Sequence, residues 1–394
     1  MSAPRVAGRP ARVAIVGSRG IPGRYGGYET LAEELAVRMV ERGWRVTVAC
    51  RSHSTPRHLE RYRGVDLLVL PTLPTKYLDT PVHTLLTTLE LARRQGSGPI
   101  DAALVVNSAN AVFVPLLQAA GIPTALHVDG VEKRRAKWGA PGRAVYAVSE
   151  RLACVLPDAL VTDAEVIRRY YRERYAADSW VIAYGVDPRT PTPDGESVLA
   201  RLGLEPRRFF LYVSRFEPEN NPHRVVEAYR HAAGELPLVM IGGAPYADRF
   251  IAELRRRADR RILFPGPIYG EGYRELLSSA LAYVHATEVG GTHPALVEAM
   301  GYGNCALVND APENREVAGD VGLYFRAAEP TSLTTLFDRV SAAPGEAAEL
   351  GRRAARRAAD LYSWPRVVER YERLFTHLLA ASVDGGEVFP AQVV

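Results

Sequence analysis

The chain has 394 residues, 47% hydrophobic and 24% charged, the balance of a globular protein with room for two cores. No apolar run approaches the ~20 residues that span a bilayer, and the N-terminus lacks a signal peptide's apolar stretch. The net charge of +4 is uneven: residues 1–187 hold 25 Lys+Arg against 18 Asp+Glu, or +7, leaving −3 for the remainder. A basic first half favours an anionic partner such as a phosphate-bearing acceptor or a lipid surface, although a solvated surface gives the same imbalance. The arginines are dispersed and not interleaved with aromatics, which argues against nucleic acid. Cys50, Cys154 and Cys305 are odd in number and show no metal-ligand spacing. They read as core residues of a cytoplasmic protein, and neither a metal nor a bound cofactor is expected.

After a start through Pro10 that is expected to be flexible, Ala11–Gly17 is an apolar run ending in glycine, the expected first strand of an α/β domain. The loop Gly17–Thr30 holds five glycines. A helix is expected from Thr30 to Arg42, where Leu31, Leu35 and Met39 recur at four-residue spacing and Gly43 stops it. Trp44–Cys50 reads as the next parallel strand. This is a Rossmann-like opening, yet the dinucleotide fingerprint fails. The loop is too long, it contains Pro22, and Arg51 stands where an acidic residue would meet a ribose. A nicotinamide oxidoreductase is disfavoured. The glycines suit either a ligand-cradling loop or a plain strand-to-helix turn.

Val65–Leu70, Ala102–Val106 and Thr124–Gly130 read as further strands, with helices over His83–Arg94 and Asn110–Ala120. Ligands of open parallel sheets lie beyond the carboxyl ends of strands, so the ends at Gly17, Asn107 and His127–Asp129 should share one rim. His127 is a site candidate on that ground, with a satisfied structural histidine as the alternative. The basic cluster Val131–Gly139 would grip an anionic acceptor or be a solvated loop. Leu160–Asp163 and Trp180–Gly185 read as the last strands of this half, and three prolines in Asp187–Gly195 mark a connection between domains.

A second α/β series begins at Phe209–Val213 and continues through a helix at His223–Ala233 to the strand Leu236–Ile241, which ends at Gly242-Gly243. Arg215, just past a strand end, is placed to meet phosphate with a planar, two-pronged donor set. Helices are expected over Phe250–Ala258 and Tyr273–Ala280, with a strand at Arg261–Phe264. The apolar run Ala280–Ala286 precedes the most informative stretch, Thr287–Gly301. Pro294 suits a first helical position, with Thr292 or His293 at the cap. The free N–H groups of that first turn, beside Gly290 and Gly291, offer an anion site. Glu288 and Glu298 bracket the loop. A diphosphate held there, with a sugar on one side and a ribose on the other, would use both; an ordinary strand–loop–helix junction would show the same residues. Ala306–Asp310 is another strand, and the tail is helical. Two doubly wound halves joined by a proline-rich connection imply a cleft, a favoured ligand position.

The chain resembles the GT-B glycosyltransferases of the family-4 kind over nearly its whole length, most closely a rhamnosyltransferase-like subgroup that builds bacterial cell-surface polysaccharides. The resemblance rests on Val13–Gly17, Arg19–Pro22, Tyr25–Thr30, Val128–Gly130, Arg135–Trp138, Glu217–Asn221, Gly290–Thr292, Glu298–Met300 and Glu313–Glu316. It implies an α/β GT-B fold, two Rossmann-like domains facing each other across a cleft. Residues 1–187 would form the acceptor-binding domain, 188–204 a linker and 205–360 the nucleotide-sugar-binding domain. Residues 361–394 would form a helix packing back on the first domain. It implies transfer of a hexose or deoxyhexose, L-rhamnose included, from a dTDP- or UDP-sugar. The acceptor would be a glycan or polyprenyl-linked sugar, and the anomeric configuration would be retained without a metal. Such an enzyme would work in the cytoplasm or peripherally at the inner face of the membrane.

By that resemblance, His127, Asp129, Arg215 and Glu288 carry the chemistry. Gly20, Gly26, Gly27, Arg215, Asn220, Gly243, Gly290, Gly291, Thr292, His293 and Glu298 bind the donor. Tyr25, Tyr28, Lys133, Arg134, Lys137 and Trp138 bind the acceptor. Three features depart from the family. Nine residues separate Glu288 from Glu298 where seven are usual; Asn220 stands where a lysine is usual; and His127 replaces the subgroup's frequent asparagine. A nucleotide-sugar epimerase of the same fold and a non-catalytic nucleotide-sugar-binding protein are the rival readings.

Overall fold

Short Val-, Leu- and Ala-rich runs bounded by turn residues form the strands, and most are buried on both faces, as crossover helices require. The computed structural model describes residues 4–23, 26–75, 77–135, 139–192, 195–244 and 248–384. The chain divides into two units. One comprises Met1–Lys133, Gly139–Ala183 and Trp364–Val394, and the other Arg134–Trp138 and Tyr184–Ser363.

The first unit is built on β1 (Arg12–Val16), β2 (Arg45–Arg51), β3 (Val65–Leu70), β4 (Ala102–Val106), β5 (Thr124–Val128), β6 (Ala159–Thr162) and β7 (Trp180–Val181). Their order is β7-β6-β5-β4-β1-β2-β3, all parallel, with the short strand Arg61–Tyr62 antiparallel on the β3 edge. The order reverses between β1 and β4, where Val13 is in register with Ala102. At such a reversal the flanking loops leave to opposite faces and open a crevice. The helix Trp364–Asp384 also belongs to this unit. Its Glu372 accepts from Trp44 Nε1 (3.0 Å) and pairs with Arg42 (2.7 Å), and its Phe375 packs on Trp44.

The second unit has β8 (Phe210–Val213), β9 (Leu238–Ile241), β10 (Ile262–Gly266), β11 (Ala282–His285), β12 (Cys305–Asn309) and β13 (Gly322–Phe325). All run parallel in the order β10-β9-β8-β11-β12-β13, so the reversal here lies between β8 and β11. An aromatic cluster of Phe210, Tyr229 and Phe337 sits under this sheet with ring centroids 4.7–5.9 Å apart.

Several elements differ from the sequence expectation. The helix placed at Asn110–Ala120 is a 3-10 turn, Ser108–Phe113, followed by an α-helix, Val114–Ala119. Pro115 lacks an N–H, so the α-helix restarts beneath it. Only Trp180–Val181 of Trp180–Gly185 is a strand, and Val186 instead bridges Ser363 in the second unit, its N–H donating to Tyr362 O. The stretch 188–204 is not wholly a connection. Ser197 caps a helix, Val198–Leu202, which docks on Gly270–Ser279 because Glu275 accepts from Ser197 Oγ and Val198 N.

Candidate functional site

In the first unit, the β1, β4 and β5 ends are neighbours. Gly17 has φ +102°, and a Cβ there would lie 2.6 Å from Val106 O. Gly20 has φ +112° and no room for a Cβ against Cys50. Both glycines are thus required by packing alone. Two carboxylates on one face of the helix Gly27–Glu41 brace the loop. Glu29 accepts from Arg19 N (2.8 Å), and Glu33 accepts from Gly23 N (2.5 Å) and from Tyr62 OH (2.9 Å). Glu29 is 6% exposed, and burial pushes its carboxyl up from the ordinary value. Gly26 caps this helix and Gly27 opens it. Arg51, at the end of β2, is buried in an ion pair with Asp79 and also donates to Thr80 Oγ1 (3.1 Å). Its charge is neutralised inside the unit.

His127 is fully buried, with Tyr28 edge-on at 5.9 Å and Tyr371 OH 2.8 Å from Nδ1. Burial lowers its pKa to about 3, so the imidazole is neutral. Asp129, two residues on, is half-buried. Lys133 was expected to meet an acceptor, but it is committed internally. Its Nζ lies 2.7 Å from buried Glu150 and donates to Tyr175 OH (3.2 Å), over the rings of Tyr170 and Tyr175. Leaving Glu150 unpaired in the interior would cost more than a surface contact returns. Arg134 ends a 3-10 turn, with its side chain outside what is described; Tyr25, Lys137 and Trp138 lie outside the described residues altogether.

In the second unit, the loops that follow β8 and β11 leave adjacent strand ends at the reversal of order. After β8, Arg215 O accepts from Asn220 Nδ2 (2.7 Å) and from Ser214 Oγ (2.9 Å), and Tyr212 OH donates to Asn220 O (2.7 Å). Asn220 therefore braces the loop with its amide. This contact uses one of its two amide protons. The Arg215 side chain stays 31% exposed, with Glu217 at a long 3.6 Å. Gly243 O accepts from Phe216 N (3.3 Å), and preceding Gly242 has φ +146° with Ser214 O where a Cβ would stand.

After β11, Asn314 Nδ2 donates to Thr287 O (2.9 Å), fixing the loop's first residue. Glu288 is exposed at the strand end. Gly290, Gly291 and Thr292 are buried, and a Cβ on Gly290 would strike the His293 ring at 2.3 Å. His293 caps the helix Pro294–Gly301, and its ring lies 4.6 Å from that of His285. Loss of hydration holds His293 well below its ordinary pKa, and His285, Arg135 and Arg215 act in the same direction. One turn along, half-buried Glu298 accepts from Tyr273 OH (2.6 Å) through Oε2. The structure thus places Arg215, Glu288, Gly290–His293 and Glu298 on two neighbouring loops and one helix start.

Residues 11–187 match a domain of unknown function, DUF1972, and residues 199–357 match Glycosyl transferases group 1. The chain has the GT-B fold and carries a Glycosyl transferases group 1 domain. Its fold is similar to that of sucrose-phosphate synthase from Thermosynechococcus elongatus, with a TM-score of 0.81 at 16% identity, covering 94% of this chain and 100% of that one. It is also similar to HepE of Anabaena in complex with UDP-glucose (TM-score 0.73, 15% identity, 93% and 99% covered). A glycosyltransferase from Rickettsia africae gives a TM-score of 0.71 at 14% identity, with 94% and 99% covered. No curated protein matches the sequence.

Sequence reasoning gave no role to Glu29, Glu33, Tyr273, Asn221 or Asn314, all of which hold site loops in place. Glu29 and Glu33 carried a signal, since their four-residue spacing puts them on one helix face. Tyr273 carried none, because its partner Glu298 is 25 positions away. Chemically, the second-unit loops offer a partly exposed guanidinium, the start of a helix and two carboxylates that can accept hydrogen bonds from hydroxyls. Among the described residues, no group of three or more His, Cys, Asp or Glu could hold a metal ion.

Proposed function

We propose that the second unit binds a nucleotide-diphosphate sugar and that the chain transfers its hexose or deoxyhexose to a hydroxyl of a glycan or polyprenyl-linked sugar. The observation that carries this is Arg215 beside the glycine-lined start of the helix Pro294–Gly301, on loops leaving the adjacent ends of β8 and β11. A doubly wound sheet takes its ligand at such a reversal, and a helix start with a guanidinium suits a diphosphate. The UDP-glucose complex of HepE supports this choice of ligand.

In this reading Arg215 and the Gly290–Thr292 backbone hold the diphosphate, Glu298 accepts from ribose hydroxyls, and Glu288 accepts from the sugar. The glycosidic C–O bond breaks toward the nucleoside diphosphate, and the acceptor oxygen bonds the anomeric carbon on the same face. The acceptor proton passes to the leaving phosphate oxygen. Retention of configuration follows from that front-face path, with no protein nucleophile and no metal. Catalysis is then positioning plus stabilisation of the leaving charge. By the subgroup resemblance the sugar is L-rhamnose and the product a cell-surface polysaccharide, while the first unit takes the acceptor.

Among the described residues, no helix is long and apolar enough to cross a membrane. The helix Ala140–Val155 nevertheless leaves Val145, Val148 and Val155 60%, 58% and 74% exposed, with Arg143 and Arg151 exposed on the same helix. Val112, on the 3-10 turn packed against it, is 55% exposed. The one acid of the helix, Glu150, is buried against Lys133. Two copies paired through this face would oppose like charges, whereas an anionic bilayer complements both the arginines and the valines. The reading therefore includes peripheral docking at an anionic membrane.

The reaction is tested by nucleoside diphosphate release from UDP-, dTDP- and GDP-sugars, with and without polyprenyl-linked sugar acceptors. Acceptor-dependent release from one donor class is expected. Release indifferent to acceptor, or consumption of none of the donors, would overturn the proposal.

A further inference from the structure

Asn221 joins the two site loops of the second unit. It is 2% exposed and left-handed (φ +55°), a conformation that asparagine tolerates better than most residues, and it stands directly before Pro222. Glycine would serve that backbone equally well, so the side chain calls for a reason of its own. Its Nδ2 donates to Ala286 O (2.9 Å) and to Glu288 Oε1 (2.9 Å), which uses both amide protons. Beside this tether, Glu288 N donates to Glu219 O (3.0 Å). The end of β11 is therefore fastened to the β8 loop by the backbone of Glu288 and by Asn221. The Glu288 carboxylate would otherwise be free to turn in solvent, as the residue is exposed.

We infer that Asn221 is a positioning residue that aims Glu288 at the sugar of the donor. The amide fixes one carboxylate oxygen and leaves Oε2 to accept from a ligand hydroxyl. Holding the side chain in one rotamer before the ligand arrives removes an ordering cost that binding would otherwise carry. This rests on the reading of Glu288 given above. It adds what makes that exposed carboxylate selective: an aspartate at position 221 would repel it, and a glycine would release it.

The test compares affinities of the full chain for a nucleoside diphosphate and for the matching sugar nucleotide. The best-bound of UDP-glucose, dTDP-rhamnose and GDP-mannose is used with its own diphosphate, by calorimetry. N221G and N221D both keep the left-handed backbone. E288Q reports the carboxylate itself, and N221G/E288Q closes the cycle. N221G is expected to weaken the sugar nucleotide about tenfold, N221D more, with the bare diphosphate within about twofold of wild type. In the E288Q background, N221G should cost nothing further. Unchanged diphosphate binding shows an intact loop, which a merely structural role of Asn221 would not preserve. If E288Q weakens the sugar nucleotide and N221G does not, the role of Asn221 is overturned and that of Glu288 stands. If E288Q has no effect, or none of the three donors binds, the underlying reading fails and this inference with it.

Discussion

The Tyr371 hydroxyl lies 2.8 Å from Nδ1 of His127, although the two residues are 244 positions apart in sequence. The contact ties the last helix to the end of β5 and leaves the imidazole without solvent. Burial lowers His127 and His285 to about 3 and His83 to about 4, all below the unfolded value of 6.5. Between those values the unfolded chain binds more protons, so stability is full above pH 6.5 and falls as pH drops toward 4. Urea unfolding at pH 7.5, 6.0 and 5.0 should show this loss. The H127N variant should lose less across the same range, by up to about 1.4 kcal/mol per pH unit. Equal slopes for wild type and variant would show that His127 does not titrate in this way.

Glu372 anchors the same helix. Its carboxylate, 2% exposed, takes both Arg42 and the indole N–H of Trp44. Replacing it with alanine leaves the indole donor unpaired and should cost about 2–3 kcal/mol. The loss should appear in the unfolding transition of the first unit, with diphosphate binding by the folded chain unchanged. A shift below 0.5 kcal/mol would mean that packing on Trp44 and Phe375 alone fixes the helix.

The exposed face of Ala140–Val155 predicts a charge-dependent partner. The chain should sediment with phosphatidylglycerol vesicles and not with phosphatidylcholine vesicles, and added salt should weaken the association. R143E/R151E should reduce binding at least about tenfold, and V145S/V148S should reduce it with the charge of the helix unchanged. Indifference to lipid charge or to both double variants would exclude this face as the docking surface.

The order of strands and helices was largely legible because each parallel strand is a continuous apolar run between turn residues. The helix Ala140–Val155 was not: with three valines exposed, its apolar residues do not mark one buried face. The helix Val198–Leu202 was hidden for a related reason. Residues 188–204 are polar and proline-rich, yet Ser197 and Val198 are fixed by Glu275, a partner 77–78 positions away. At the site, Arg215, Gly290 and Glu298 could be named from local pattern, since strand ends and helix starts are local features. What holds them could not. Asn314, Tyr273 and Asn221 act through contacts that no spacing in the sequence encodes, and so does the Asn220 amide on Arg215 O.

The central claim is that the second unit grips an activated sugar by its diphosphate through Arg215 and by its ribose through Glu298. Ligand-dependent thermal shift of the full chain, across UDP-, dTDP- and GDP-sugars, tests it most directly. One donor class should raise the Tm of the wild type. R215A and E298A, with unliganded Tm values close to wild type, should each weaken the response by about 10- to 100-fold in donor concentration. Variants that respond to the same donor at the same concentration as wild type would contradict the claim.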